Sequence, residues 1–389
     1  MKYFSCLLGF LLSILLSACG GGGGGGTTPP PAGPVISLLQ QIPAPVGDIV
    51  FDDANAYVSG AGTLWRTERS IQSGSTLTPL SPGPCSVAAV PALGTRVHQL
   101  LTQDGALYVY NAVTLEAQGE PTEHSICISQ DRGQTFVAAD LGLKSCIGSF
   151  CRFLAGNQLR VSGNSLYTNA GGGLNLLLST DQGQHWTAIL GSVDDNPCYH
   201  QAFEILGIRL LTGGECPLDN AYLRAYRMQT ASVANPASPV AVPADLGNRM
   251  VQFIKSTNGG EIVFAGVEGG LLRSSDFGGT FQFAIKFDQT SATTYPYIRH
   301  LAVASGQPGV MLASGFGKGN GMPYLAWSSD YGVNWKDISD KLPRYSEASA
   351  GLTSEVTAVV EDPAGRLLVA VSLNKGAINY VATVSATGW

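Results

Sequence analysis

Four arginines carry the most suggestive chemistry in this chain. Arg96, Arg152, Arg249 and Arg299 stand in the strings Thr95-Arg96-Val97, Cys151-Arg152-Phe153, Asn248-Arg249-Met250 and Ile298-Arg299-His300, each at the head of an apolar run of strand length. A guanidinium is planar, always charged and shaped for bidentate acceptors. Four of them converging would grip a carboxylate, sulfate or phosphate, or an acidic segment of another protein. His200, Asp48 and Glu355 fall at the matching place in other copies of the same unit. The imidazole adds a hydrogen-bonding group, and the two acids offset part of the positive charge. The competing reading has each arginine paired locally, for instance with Asp48, Glu204 or Glu355, because a one-residue slip turns a strand side chain to the opposite face.

The unit itself is marked by an octet of residues. Ser328, Asp330, Gly332 and Trp335 make one copy; Ser129, Asp131, Gly133 and Phe136 a second; Ser179, Asp181, Gly183 and Trp186 a third; Ser274, Asp276, Gly278 and Phe281 a fourth. The pattern describes a hairpin turn. A strand ends at the Ser, the Asp carboxylate accepts N–H groups of the turn, the Gly takes φ > 0 and the aromatic drops back between sheets. A carboxylate that closes its own turn has few lone pairs left for a metal or a reaction. The Asp residues of these turns are therefore structural.

These octets resemble the Asp-box repeats of bacterial sialidases, sortilin-type receptors, photosystem II assembly factors and some glycan-cleaving propellers. The resemblance implies an all-β propeller. Two box spacings are about 50 residues, while Asp181 to Asp276 is nearly twice that, so a blade without the box lies between them, at Ile208–Thr212 and Ala221–Tyr226. Asn55–Ser59 with Thr63–Arg66 reads as a further degenerate blade, and Arg366–Ala370 with Asn379–Thr383 as the last. The total is a seven-bladed β-propeller with Asp-box turns. Its last blade is one strand short, so Val35 to Gln41 is expected to pair there and close the ring.

The first residues read as an export signal, with Lys2 ahead of the apolar run Leu7–Leu16. Leu16-Ser17-Ala18-Cys19 resembles the lipobox of bacterial lipoproteins, which implies acylation at Cys19. The expected organisation is a signal at 1–18, a lipidated Cys19 with a Gly/Pro-rich tether at 19–34, and the propeller at 35–389. Gly20 carries no Asp-type retention signal, so the resemblance implies the outer membrane of a bacterial envelope. Cys85, Cys127, Cys146, Cys151, Cys198 and Cys216 form an even set, suited to disulfides in an exported protein. Proximity points to Cys146–Cys151 and Cys198–Cys216, which leaves Cys85–Cys127. Loss of the signal removes one of 22 Lys+Arg and none of 28 Asp+Glu, taking the net charge from −6 to −7. A body of that charge is a poor partner for nucleic acid.

Every mature cysteine maps to or near the face that carries the blade-to-blade connections, which makes that face the working one. The reading is a membrane-anchored, monomeric binding or assembly propeller whose arginine-bearing channel mouth takes a protein client or an anionic small molecule or glycan, without metal or cofactor. It is most similar to the photosystem II assembly-factor propellers. An alternative is a sialidase-like or other glycoside hydrolase. Against it, the chain lacks the Phe/Tyr-Arg-Ile-Pro string of sialidases, and its blade count exceeds their six. A second alternative is a structural surface propeller without a discrete ligand.

Overall fold

The computed structural model describes residues 34–60, 63–85, 99–110, 116–118, 124–141, 143–147, 150–153, 158–170, 175–190, 198–216, 220–227, 240–244, 246, 250–287, 297–318, 322–342, 355–373 and 376–386. They form seven blades of antiparallel strands around a central channel. The innermost strands are Val46–Phe51, Gln99–Gln103, Leu159–Ser162, Tyr199–Leu206, Val251–Thr257, Tyr297–Val303 and Glu355–Glu361. Blade seven continues outward through Leu367–Leu373 and Ile378–Ala386. Its fourth strand is Pro34–Gln41, which pairs with Ile378–Ala386 from Pro34↔Ala386 to Gln41↔Tyr380 and closes the ring, as the sequence implied.

Blade stacking explains the strand sequences. Each sheet is covered on both faces by its neighbours, so the second strands are buried on consecutive residues rather than alternately. Ile262–Val267 and Leu367–Leu373 are buried at every position. Where blades press closest the side chain disappears: a Cβ on Gly266 of blade five would sit 2.5 Å from the Ile298 carbonyl oxygen of blade six. Outermost strands are short and wet, as at Val240–Ala241 and Lys336–Asp337.

The strands define two faces. The turn face carries the hairpins between first and second strands together with the Asp-boxes. The Phe277 N–H donates to the Glu261 carbonyl at 3.1 Å, and the Tyr331 N–H to the Gly309 carbonyl at 3.0 Å, tying box to hairpin. Opposite lies the connection face. There Lys144–Ile147, Phe150–Phe153 and Glu116–Gln118 make an additional three-stranded sheet that belongs to no blade.

Two of the expected disulfides are present. Cys85–Cys127 joins the segment after blade one to the third strand of blade two, and Cys198–Cys216 joins the first two strands of blade four at the connection face. Cys127 sits within a strand and is fully buried. Cys146 and Cys151 are register partners across the additional sheet, with their side chains outside the described residues.

Candidate functional site

In the Asp-boxes the carboxylates are occupied as the octet requires. Asp131 Oδ1 accepts the Thr135 N–H at 2.8 Å and Oδ2 accepts the Thr135 hydroxyl at 2.5 Å, while Ser129 Oγ takes the Gly133 N–H at 2.7 Å. The Thr135 hydroxyl and N–H hold the Asp131 carboxyl down to about 2. The His185 N–H and ring do the same at Asp181, also to about 2. Gly183 has φ +85°, and a Cβ there would lie 2.0 Å from the Ala139 carbonyl oxygen. The residue after each Asp is left-handed too: Arg132, Gln182, Phe277 and Tyr331 have φ of 58° to 60°.

The channel mouth is shaped by a feature absent from the octet. In five blades the inner strand slips by one residue against the second strand near its start, between Val46 and Asp48, His200 and Ala202, Val251 and Phe253, Ile298 and His300, and Val356 and Ala358. The residues without a register partner are Gly47, Gln201, Gln252, Arg299 and Thr357. Such bulges re-aim side chains at the rims of closed sheets. Equivalent positions therefore follow the bulge rather than a constant count along the sequence.

This frame sorts the expected site residues. Arg299 occupies the bulge of blade six, exposed at the connection-face mouth, and its charge offsets the upward push that burial gives the Glu355 carboxyl. Glu355 is paired with Phe316 of blade six, so the two residues meet at the junction of blades six and seven. The bulge residue of blade five that matches Arg299 is Gln252. Arg96 and Arg249 lie outside the described residues. Arg152 departs from the expectation: it belongs to Phe150–Phe153 of the additional sheet, not to an inner strand, because blade three starts later, at Leu159. His200 departs as well. It is fully buried inside blade four, where its Nδ1 and the Tyr222 hydroxyl are 2.6 Å apart, and its carbonyl accepts from Asn169 Nδ2 at 2.7 Å.

Asp48 joins a network lower in the channel. Its Oδ2 accepts the Leu100 N–H of blade two at 3.0 Å and its Oδ1 the Ile49 N–H at 2.9 Å. Burial outweighs these bonds and the nearby Lys255, and pushes the carboxyl up to about 6. Arg160 of blade three reaches Glu204 of blade four at 3.4 Å, and Glu204 Oε1 accepts the Ser256 hydroxyl of blade five at 2.9 Å. Lys255 Nζ donates to the Leu301 carbonyl of blade six at 2.8 Å. Burial, then Arg160, draws the lysine below its ordinary range. Burial, with Arg299 and Lys255 beside it, takes His300 down to about 3 and keeps it neutral. Arg160 and Lys255 were not singled out in the sequence, although each is a cation directly following an apolar residue of an inner strand.

Below the network the channel widens toward the turn face into a cavity of about 690 Å³, with Lys255, Thr102 and Ser256 among apolar walls. It opens beside a cleft of about 730 Å³ lined by Asp52, Asp53, Asp104 and Asp362 together with Arg69 and Arg132. Among the described residues no three His, Cys, Asp or Glu side chains converge as a metal site.

Neither a known family's sequence profile nor a curated protein matches this chain. Solved structures do. YCF48 bound to D1 peptide is 14% identical over 91% of this chain and 96% of that one, with a TM-score of 0.53. YCF48 from Cyanidioschyzon merolae is 13% identical over 89% and 98%, also with a TM-score of 0.53. The GH74 xyloglucanase from Xanthomonas campestris is 17% identical over 89% of this chain but 53% of its own, with a TM-score of 0.56. Likeness at this identity establishes the seven-bladed propeller, a fold that hosts both binding proteins and glycosidases.

Proposed function

We propose that this chain is a binding or assembly propeller, anchored through acylated Cys19 in the bacterial envelope, that takes a protein client or an anionic ligand at the connection-face mouth. The observation that carries the reading is how the charges of the channel are spent. Glu204 accepts from Arg160 of blade three and Ser256 of blade five, and Asp48 accepts from Leu100 of blade two and from the adjoining Ile49, so these two channel acids are engaged in holding blades together. Arg299 stands exposed on a bulge at the rim, beside Glu355, where its guanidinium is also within reach of an incoming carboxylate or acidic segment. Arg96 and Arg249 belong to the proposal as further basic groups of that mouth. Support of a general kind comes from YCF48, which has this fold and has been captured with a peptide. The additional sheet and the Cys198–Cys216 bridge on the same face suit a preformed recognition surface.

The test is a thermal-shift screen of the protein against organic acids, phosphate and anionic sugars at low and high salt, run in parallel on Arg299→Ala. A salt-sensitive rise in Tm that Arg299→Ala loses supports the mouth as a site. No shift with any of these ligands, together with no client crosslinked at the membrane in an Arg299-dependent way, rejects it. One observation favours the second reading, glycoside hydrolysis: Asp48 is held near 6, in the range of a general acid. Turnover of xyloglucan or a sialoside that Asp48→Asn abolishes would put that reading first.

A further inference from the structure

We infer that the turn face of blades four to six lies against the phospholipid surface that holds the Cys19 lipid, so that the connection-face mouth points away from the membrane. The inference rests on the anchored reading above and adds an orientation to it. The closing strand decides where the anchor pulls. Pro34 pairs with Ala386, and Val384 pairs with Leu367 beside the first hairpin of blade seven, so Pro34–Gln41 begins at the turn face. Residues 20–33 are all that separate it from Cys19. At about 3.5 Å per residue they span at most about 50 Å. Turning the connection face toward the lipid would spend about 30 Å of that on the height of an eight- or nine-residue strand.

The chemistry of the turn face agrees, and it is divided. In blades two and three the left-handed position after the box Asp is polar, Arg132 and Gln182; in blades five and six it is aromatic, Phe277 and Tyr331. Val333 follows in the blade-six box, and Ile208 stands at the adjacent hairpin of blade four. Ile208, Phe277 and Val333 are 52%, 52% and 56% exposed. Arg209 holds them in place by donating to the Phe277 carbonyl at 2.9 Å, and Arg273 by donating to the Tyr331 carbonyl at 2.8 Å. Tyr331 packs in part on the core between blades five and six, but Phe277, left-handed and exposed, serves no purpose in the turn, which Asn would fill at lower cost. Across the channel, the matching sector of blades seven, one and two is charged and hydrated: Asp104 and Arg69 are exposed there, and Asp53 pairs with Arg132 at 3.0 Å. Those groups keep their water, so the apolar sector makes the contact.

The test uses the full acylated protein in vesicles of phosphatidylethanolamine and phosphatidylglycerol doped with a diazirine-tagged phospholipid. Adducts are expected on the peptides carrying Ile208, Phe277 and Tyr331–Val333. Phe277→Asn, which suits the left-handed backbone, should lower the yield on these peptides roughly threefold or more. Arg132→Asn should not. Adducts on connection-face segments, adducts confined to the tether, or crosslinks between copies through Phe277 would overturn the orientation. The mass of the N-terminal peptide separates the two readings. An unacylated Cys19 removes anchor and orientation together, whereas an acylated chain without adducts on blades four to six removes the orientation alone.

Discussion

At Asp131 and Asp181 the turn's own hydrogen bonds hold the carboxyl near 2, while at Asp48 burial drives it to about 6, so acid acts on this protein with two opposite signs. For these two aspartates the folded pKa lies below the ordinary value of about 3.9. Their stabilisation is complete above that value and is lost as pH falls through about 2. For Asp48 the folded state binds the proton more tightly than the unfolded chain does. Stability is therefore gained as pH falls from above 6 toward 4 and given up as pH rises through 6. A Tm profile should accordingly rise from pH 8 to a maximum between about 4 and 5 and drop steeply below 3. Asp48→Asn should flatten the limb between pH 5 and 7 and leave the acid limb in place. A flat limb in the unmodified protein would show that Asp48 is solvated.

Among the elements, the covalent and ionic ties between and within blades differ in what they enclose. Cys85–Cys127 closes a loop with a sequence separation of 42 and Cys198–Cys216 one of 18. On loop-closure entropy alone, removing the first costs about 4 kcal/mol and the second about 3 kcal/mol. Chemical denaturation of the paired Ala variants, Cys85→Ala with Cys127→Ala and Cys198→Ala with Cys216→Ala, should rank them in that order; the reverse order would mean that strain or packing outweighs the chain term. The arginines at 66, 209 and 273 act at the same level, each donating to the carbonyl after a neighbouring blade's box Asp. What the sequence disclosed follows from this division. Ser179, Asp181 and Gly183 carry their turn in their own types and spacing, and apolar runs such as Ile262–Val267 declare a doubly covered strand, so blades and ring closure were readable. Arg299 and Asp48 were placed only roughly, since a bulge adds one unpaired residue that leaves no trace in hydrophobic pattern. Arg152 was misplaced because the additional sheet mimics the start of a blade, and His200 because its partner Tyr222 is two strands away.

For the molecule as a whole, the ring is closed by hydrogen bonds between its two ends rather than by a covalent link. Pro34–Gln41 covers the outer edge of Ile378–Ala386, and just beyond it Ile42 is buried in the cluster that joins blades seven and one. Arg366 of blade seven adds a charged tie, donating to the Ile71 carbonyl of blade one at 3.2 Å while it pairs with Asp362. Without the closing strand, an apolar strand containing Val381 and Val384 would present an unpaired ladder, which is a template for edge-to-edge association. A chain that begins at Ile42 should therefore lose cooperative unfolding and form concentration-dependent oligomers, measured by calorimetry and sedimentation velocity. Blade seven should exchange its amide hydrogens first, because its contacts with blade one are the ones the strand supports. If the shortened chain instead melts as one cooperative monomer, closure must reside in blade seven's remaining three strands and their packing on blade one, with the N-terminal strand reduced to a covering for the edge.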